Sequence, residues 1–288
     1  MADLVRRVRR RLPEPLKPPL RHLAGAVDWI PRAVERLRPD PPRPVPPRRI
    51  RASVGQPSAS RYREEGAIVA GELQELLESL GRPVSSFESI CDLASGPGKI
   101  LGCVRWDTAS SVTAVDVNAD AIDWLRRQMP RVKARAEQPW PPTMIPAGSF
   151  DLIYSISLFT HLSERAQDAW VAEVSRLLKP GGLGVITVHG IVAFEGFKGG
   201  RRQGISEGDA AALRRCGSLE DEAFVFLPEA HPDRRTPGVE SDWGLAFHGH
   251  SYIRQRWTDA VRVDAILPSA LNFSQDVVIV RPNDSKAQ

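Results

Sequence analysis

The chain has few cysteines and no long apolar segment. Its 288 residues include three cysteines, Cys91, Cys103 and Cys216, and none forms a C-x-x-C pair. This pattern indicates reduced thiols of a cytosolic protein. No apolar run reaches the roughly 18 residues that a membrane-spanning helix requires, and the N-terminus lacks the apolar region of a secretory signal. We therefore expect a cytoplasmic chain without a transmembrane segment.

Charge is distributed unevenly along the chain. Residues 1–51 hold 14 basic and 5 acidic residues, so this segment carries a formal charge of +9, whereas the whole chain carries +4. The remaining chain therefore carries −5. A mildly acidic body disfavours a nucleic-acid partner, because such a partner requires a basic face on the folded domain.

The basic segment 1–51 is also rich in proline, most densely between Pro39 and Pro47. Prolines this dense disfavour helix and central strand and favour extended chain. Two interpretations stay open. The segment is a flexible, poorly ordered arm, or it is a basic arm that contacts an anionic membrane or an acidic partner.

Two short apolar segments, each ending in an acid, dominate the folded part. Ile90 to Leu93 precedes a turn of small residues and includes Asp92, while Val112 to Val115 runs into Asp116. Each pattern is typical of a buried strand, and the first predicts a tight loop and a helix after it. The 24 residues between the acids fit one strand–helix–strand unit.

The rest of the chain continues this alternation of strands and helices. We expect a helix over Glu64 to Leu80 and another after Asn118. The further predicted elements are strands at Arg131 to Ala136, Phe150 to Leu158 and Leu183 to Val188, a helix capped by Ser163, a helix at Ser251 to Trp257, and strands at Val261 to Leu267 and Gln275 to Val280. The order predicts an α/β fold with a doubly wound, mostly parallel seven-stranded sheet whose last strand is antiparallel.

The turn after the first strand is suited to holding a nucleoside. Glycine at Gly96 and Gly98 permits positive φ angles and a close approach of the backbone to a ligand. Asp116 lies where a carboxylate can accept hydrogen bonds from the two ribose hydroxyls. The third glycine of the nicotinamide fingerprint is absent, since Leu101 follows Lys99 and Ile100. A nucleoside without phosphates is therefore the favoured ligand.

The run Asp92-Leu93-Ala94-Ser95-Gly96-Pro97-Gly98 resembles the first motif of class I methyltransferases that depend on S-adenosylmethionine (SAM), commonly D-x-G-x-G-x-G. Ala94 replaces the first glycine. The resemblance extends to about Pro282, and its further motifs are Phe150 to Tyr154, Phe159-Thr160-His161-Leu162, Glu173 to Gly182, and Gln275 to Val278. It implies a Rossmann-like sheet. Within this class the chain looks closest to bacterial small-molecule or glycan methyltransferases.

The resemblance also implies roles for individual residues. Asp116 is expected at the ribose, Val117 beside the adenine, and Ala136 and Glu137 near the adenine amino edge. Ser155, at the tip of the fourth strand, is expected near the methyl group. The residues expected around the methionine part of SAM are Asp92, Ala94, Ser95, Gly96 and Gly98.

Transfer of a methyl group to a hydroxyl requires a base in addition to alignment. Histidine suits this role near neutral pH, and we take His189, His248 and His250 as the candidates. His161 is interpreted as a packing or capping residue. Residues 190–247 break the alternation and are expected to form an insertion that caps the acceptor, within a domain that spans residues 52–288.

The sequence thus predicts a SAM-dependent methyltransferase acting on a hydroxyl of a small molecule, glycan or secondary metabolite. It has no histidine or carboxylate cluster with metal-ligand spacing, and no N-P-P-Y type turn for methylating nucleic-acid amines. Two alternatives stay open: a catalytically silent SAM-fold module that recruits a partner through its basic arm, and a nicotinamide oxidoreductase. The acceptor and the oligomeric state are left open.

Overall fold

The computed structural model describes residues 45–106, 109–200, 206–229, 241–272 and 274–283. The helices and strands of these residues alternate along most of the chain. In chain order they are α1 Arg48–Ser53, α2 Ala59–Ser79, β1 Ser89–Leu93, β2 Ser111–Asp116, α3 Ala119–Gln128, β3 Val132–Ala136, β4 Phe150–Ser155, α4 Glu164–Leu177, β5 Leu178–Val188, α5 Ile191–Lys198, α6 Glu207–Cys216, β6 Phe224–Pro228, β7 Gly244–His248, α7 His250–Trp257, β8 Val261–Leu271 and β9 Gln275–Pro282.

Seven of these strands form one sheet, in the spatial order β3-β2-β1-β4-β5-β9-β8. The pairs from β3 to β5 are parallel, while β9 is antiparallel to both β5 and β8. This confirms the predicted doubly wound, mostly parallel α/β sheet with an antiparallel last strand. The change of strand order beside β1 places a crevice at the carboxyl ends of the strands, where ligands bind in such sheets.

Helices cover both faces of the sheet. On one face, α2 buries Val69, Leu73 and Leu77 against strand residues such as Ile90 and Leu152. On the other face, α4 and α7 bury an apolar layer that includes Trp170, Val174, Ile253 and Trp257. Because successive strand residues point to opposite faces, the nearly continuous apolar runs of β1, β4 and β9 fill both layers.

Several predicted element ends agree with the structure. The Asn118 side chain accepts a hydrogen bond from the Ala121 amide and caps α3, and Ser163 caps α4 by accepting from the Ala166 amide. These short polar side chains satisfy amides that the first turn of a helix leaves unpaired. Strand β5 begins five residues earlier than predicted, at Leu178, with an irregular pairing to β4 between Phe150 and Leu152.

Two expectations about local structure were wrong. The loop after β1 leads into consecutive turns over residues 97–103 rather than a helix. Glycines at 98 and 102 weaken helix formation there, and the Trp106 indole nitrogen donates to the Leu101 carbonyl at 2.9 Å. The predicted extended segment 1–51 ends in helix α1, whose Ile50 is buried. Residues 1–44 lie outside the described residues.

The segment 190–247 contains more regular structure than its sequence indicated. Helices α5 and α6 and the two-stranded sheet β6–β7 share an apolar cluster of their own, which includes Phe194, Phe197, Leu213 and Phe247. Strand β7 is joined to the main domain by isolated bridges from Trp243 to Leu162 and from Phe247 to His189.

Within the described ranges, no helix combines the length and the apolar character needed to cross a membrane.

Asp151 connects the amino ends of two neighbouring strands. Its Oδ2 accepts hydrogen bonds from the Ser89 amide at 2.9 Å and the Ser89 hydroxyl at 2.8 Å. Its Oδ1 lies 3.1 Å from the Lys179 Nζ. Burial alone would raise the pKa of Asp151, but the hydrogen bonds from Ser89 and Lys179 outweigh burial and lower it.

A carboxylate with a lowered pKa stabilises the fold above its unfolded pKa of about 3.9, and the contribution is lost as the pH falls through the folded pKa. We expect Asp151→Asn to lower the free energy of unfolding by on the order of 1 kcal/mol at neutral pH, because charge-assisted hydrogen bonds become neutral ones. Urea denaturation of both proteins at neutral pH and near pH 3 measures the difference. A difference that does not shrink on acidification contradicts the assignment.

Candidate active site

The predicted site residues lie along the carboxyl edge of the sheet. The loop from Ala94 to Gly98 follows β1, Asp116 ends β2, Ser155 ends β4 and His189 follows β5. The structure therefore brings together residues that are up to about a hundred positions apart in the chain.

The loop after β1 is built from left-handed backbone conformations. Ala94, Gly96 and Gly98 have φ angles of 63°, 53° and 76°. Glycine adopts such angles at little cost, whereas alanine pays a penalty of roughly 1 kcal/mol or more. Ala94 thus keeps the backbone shape that the first motif glycine would give. The Ser95 amide donates to the Val115 carbonyl at 3.0 Å, which ties this loop to β2.

The Asp116 carboxylate connects the two loops that follow β1 and β2. Its Oδ2 accepts from the Gly96 amide at 2.7 Å and its Oδ1 from the Asn118 amide at 2.8 Å. Burial raises the pKa of Asp116, and the hydrogen bonds from these amides oppose that rise without cancelling it. A carboxylate offers about four acceptor positions, so not all of them are used by these amides, and a ribose hydroxyl can be accepted there.

Asp92 is a nearly fully buried acid one strand away. Only 3% of its surface is exposed. Burial raises the pKa of Asp92 to about 8, and the negative charge of Asp116 contributes to the increase. A positively charged ligand placed beside Asp92 would favour its ionised form.

The residues expected at the adenine lie at the adjoining ends of β2 and β3. Val117 is 42% exposed, and Ala136 is also exposed. The Glu137 amide donates to the Asp116 carbonyl at 3.1 Å. The Glu137 carboxylate accepts from the Arg135 Nε at 3.0 Å and from the Met144 amide at 3.3 Å. The chain itself therefore already holds both oxygens of Glu137.

Ser155 is fully buried at the tip of β4. Its hydroxyl has no hydrogen-bond partner among the residues that the structure describes. A buried hydroxyl without a partner is costly for the fold, and a ligand that reached it at this edge of the sheet would offset that cost.

Two of the candidate histidines are enclosed by protein. His248 is fully buried, and its Nε2 lies 2.9 Å from the Gln167 Oε1. The Gln167 Nε2 donates to the Phe159 and Leu162 carbonyls, so the His248 Nε2 must be the donor to Gln167. Burial lowers the pKa of His248 to about 3. His189 is 5% exposed and packs between Phe197 and Phe247.

His161 joins the loop after β4 to strand β7. Its Nδ1 lies 2.7 Å from the Gly244 carbonyl, and its ring stacks on Trp243 with 4.9 Å between centroids. Burial lowers the pKa of His161. These contacts fit the packing role that the sequence indicated.

His250 is the most accessible of the three candidate bases and has a carboxylate partner. Its Nε2 lies 2.7 Å from the Asp276 Oδ2, and 29% of its side chain is exposed. Asp276 is 1% exposed, and its Oδ1 accepts from the Ser269 amide at 2.8 Å. Because a carboxylate accepts, the His250 Nε2 carries the proton and its Nδ1 is left as the basic atom.

Gly190 makes room for this pair. A Cβ on Gly190 would lie 1.9 Å from the Asp276 Oδ2, so no larger residue fits beside the carboxylate in its present position.

Among the residues within the described ranges, no group of three histidine, cysteine or acidic side chains is arranged to hold a metal ion.

Residues 90–182 match the model of a methyltransferase domain family. The matched segment begins at β1 and ends within β5, so it contains the glycine loop, Asp116 and Ser155. The matched residues 90–182 are thus a methyltransferase domain of the class I SAM-dependent type. SAM is the cofactor of this family, and the left-handed loop, the acceptor positions of Asp116 and the buried Ser155 hydroxyl fit such a ligand.

Solved structures with the same fold share little sequence with this methyltransferase. The PH0226 protein of Pyrococcus horikoshii OT3 is 14% identical, with a TM-score of 0.52, 78% of this chain and 93% of that chain covered. A Leishmania major SAM-dependent methyltransferase is 13% identical, with a TM-score of 0.53 and coverages of 88% and 83%. A Clostridium acetobutylicum S-adenosylmethionine-dependent methyltransferase is 11% identical, with a TM-score of 0.51 and coverages of 77% and 92%. No curated protein sequence matches this chain.

Sequence reasoning about this methyltransferase missed two features of the site. Asp276 was noticed only as part of the closing motif, although a charged residue inside an apolar strand is itself a signal of a buried polar role. The contacts of residues 46–57 with the glycine loop had no sequence signal, because they join segments about forty positions apart.

The raised pKa of Asp92 predicts how stability depends on pH. Between the unfolded pKa near 3.9 and the folded value of about 8, the unfolded chain releases its proton first, so the native state loses stability as the pH rises. We expect Asp92→Asn, without added cofactor, to be more stable than the wild type near pH 8 by roughly 1–3 kcal/mol. The advantage should vanish near pH 4.

Urea denaturation at several pH values measures this difference. Asp264→Asn is the matched control, since Asp264 is a largely buried acid of β8 that is paired with arginines. Parallel stability curves for Asp92→Asn and the wild type from pH 4 to 8 would contradict the buried, protonated Asp92.

Proposed function

We propose that this methyltransferase acts on a hydroxyl of a small molecule or of a glycan, and that His250 is the base that removes the hydroxyl proton. The observation that carries the proposal is the His250–Asp276 pair, at 2.7 Å, on the ligand-binding edge of the sheet. SAM, when bound, supplies an electrophilic methyl group.

The residues of the cofactor site are proposed to keep the roles that their positions favour. Asp116 holds the ribose and Val117 contacts the adenine, with Ala136 and Glu137 nearby. Asp92 and the loop residues Ala94, Ser95, Gly96 and Gly98 surround the methionine part, and Ser155 lies beside the reacting group. The left-handed loop, the spare acceptor positions of Asp116 and the unpartnered Ser155 hydroxyl support these roles.

Asp276 has the arrangement expected of a group that orients a base. It is buried, it is fixed by the Ser269 amide, and it accepts from the His250 Nε2. The carboxylate therefore selects the tautomer of His250 whose Nδ1 can take a proton, and it stabilises the positive charge that follows. A hydroxyl acceptor benefits from such a base because it must lose its proton during transfer.

The spacing of the strands sets the distance that an acceptor would have to span. Ser155 lies on β4 and Asp276 on β9, and β5 separates them. Two strand spacings amount to about 10 Å. A compound the size of a sugar or an aromatic ring spans this gap.

Among the other histidines, burial argues against a role in proton transfer. His248 donates to Gln167 and is fully enclosed, and His189 is packed between two phenylalanines. We propose that both histidines position the insertion. The His248 amide, in strand β7, donates to the His189 carbonyl at 2.8 Å and so connects β7 to the end of β5.

The insertion 190–247 is proposed to cap the acceptor. It is anchored to the loop after β4 at two points, the His161–Gly244 contact and the bond of 2.5 Å from the Ser163 hydroxyl to Asp242. Ile191 and Val192, immediately after Gly190, are 43% and 50% exposed. An apolar surface next to the His250–Asp276 pair suits the apolar face of a ring or of a sugar.

The role of Asp116 gives a direct binding test. We expect Asp116→Ala to weaken SAM binding by roughly 1.5–3 kcal/mol, about ten- to a hundredfold, because hydrogen bonds to a charged acceptor are lost. Isothermal titration with SAM measures the change, and Asp264→Asn is the control. Unchanged affinity in a folded Asp116→Ala protein would contradict the ribose site.

The base is tested by methyl transfer. A panel of phenols, polyols and methyl glycosides is screened for formation of S-adenosylhomocysteine, and the best acceptor is used with His250→Gly and Asp276→Asn. We expect kcat to fall about 10²- to 10⁴-fold in His250→Gly, with SAM affinity unchanged, because a positioned base contributes this much. Added imidazole should restore part of the rate.

Asp276→Asn should lower kcat less than His250→Gly, and Asp264→Asn should leave it unchanged. A His250→Gly enzyme with the wild-type rate would overturn the assignment of the base. SAM binding without any methyl transfer across the panel would favour a catalytically silent binding module.

A further inference from the structure

Residues 46–57, near the start of the described chain, lie against the glycine loop and Asn118 of the proposed cofactor site. We name this segment, which includes helix α1, the strap. The strap is about forty positions away in sequence from the glycine loop that it contacts, and none of the roles discussed above involves it.

The strap touches both loops that the Asp116 carboxylate joins. A Cβ on Gly96 would lie 2.9 Å from the Val54 Cγ1, so Val54 packs directly against the glycine loop. The Ser53 Oγ accepts from the Asn118 Nδ2 at 3.1 Å. Gly96 and Asn118 are the residues whose amides donate to Asp116, so the strap bridges the two sides of the proposed ribose site.

The two ends of the strap are drawn together by one arginine. The Arg51 guanidinium donates to the Pro46 carbonyl at one end, and to the Pro57 carbonyl, at 2.7 Å, at the other. Ile50, in the middle, is buried. These bonds make the strap a closed unit of its own rather than an extended tail.

The strap is attached to the rest of the domain by the buried Ile50, by Val54 and by exposed polar contacts. Arg49 pairs with Asp120, and both side chains are more than half exposed. Gln56 donates to Glu65 at 2.6 Å. Exposed ion pairs and single hydrogen bonds each contribute little net stability, so opening the strap costs mainly the exposure of Ile50 and Val54, while the sheet can remain folded.

We propose that the strap is a gate over the cofactor site, and that its opening sets the rate at which SAM enters and leaves. A nucleoside that binds Asp116 must pass between the glycine loop and Asn118, which the strap bridges. Closure over the bound cofactor shields it from water, and exchange requires Val54 and Ser53 to withdraw. The inference rests on SAM binding and not on the identity of the acceptor or of the base.

The wild-type protein provides the first test. Hydrogen exchange of the backbone amides in 48–57 is measured with and without saturating SAM. We expect exchange to slow at least severalfold with SAM, while β6 and β7 serve as the reference. Unchanged exchange in the strap, with SAM binding verified by titration, would overturn the proposal.

Variants provide the second test. Arg51→Ala releases the ends of the strap without removing a residue of the proposed SAM site, and Arg63→Ala, an exposed arginine of α2, is the matched control. We expect SAM dissociation, followed by stopped-flow displacement, to become about tenfold faster in Arg51→Ala. Association should also accelerate, so that Kd changes less than the dissociation rate.

Faster hydrogen exchange in the strap of Arg51→Ala together with an unchanged SAM dissociation rate would overturn the gate. If Arg51→Ala does not fold, Arg49→Asp replaces it, with a smaller, few-fold acceleration that Arg49→Asp/Asp120→Arg should reverse. Failure of that reversal would also count against the proposal. All of these measurements use SAM alone, so they are independent of the methyl-transfer assays.

Discussion

The Asp116 carboxylate accepts hydrogen bonds from the Gly96 and Asn118 amides, and this pair of bonds fixes the end of β2 to the loop after β1. Parallel pairing of the two strands brings the loops to the same edge, but the carboxylate sets their separation. The left-handed loop after β1 and the contacts of the strap both lie at this junction.

Acidic side chains with different surroundings distinguish the two ends of the sheet. At the amino end, Asp151 is satisfied by Ser89 and Lys179 and stabilises the fold. At the carboxyl end, Asp92 is buried with a raised pKa and Asp276 is buried beside a histidine. Burying acids costs free energy unless they are compensated. At the carboxyl end, a bound ligand or the binding of a proton would offset the free-energy cost of burying Asp92 and Asp276.

The alternation of apolar strands and amphipathic helices was readable because parallel strands buried on both faces leave a strong pattern. The first motif was equally readable, since Gly96, Gly98 and Asp116 are residue types that this backbone and ligand require. The short helix α1 escaped prediction because its burial depends on Ile50 packing on distant residues. The turns after Gly98 were mistaken for a helix because the sequence pattern alone does not show how strongly Gly98 and Gly102 weaken helix formation.

The sequence by itself determined the class of fold and the motif of a methyltransferase domain, because these follow from local patterns and from one compact stretch of the chain. Only the tertiary structure distinguishes the three histidines by their burial and their partners. His189, His248 and His250 have similar local surroundings in the sequence, and their difference lies in burial and in partners such as Gln167 and Asp276 from distant segments. The strap over Gly96 was likewise decided by packing between segments far apart in the chain, which no local pattern records.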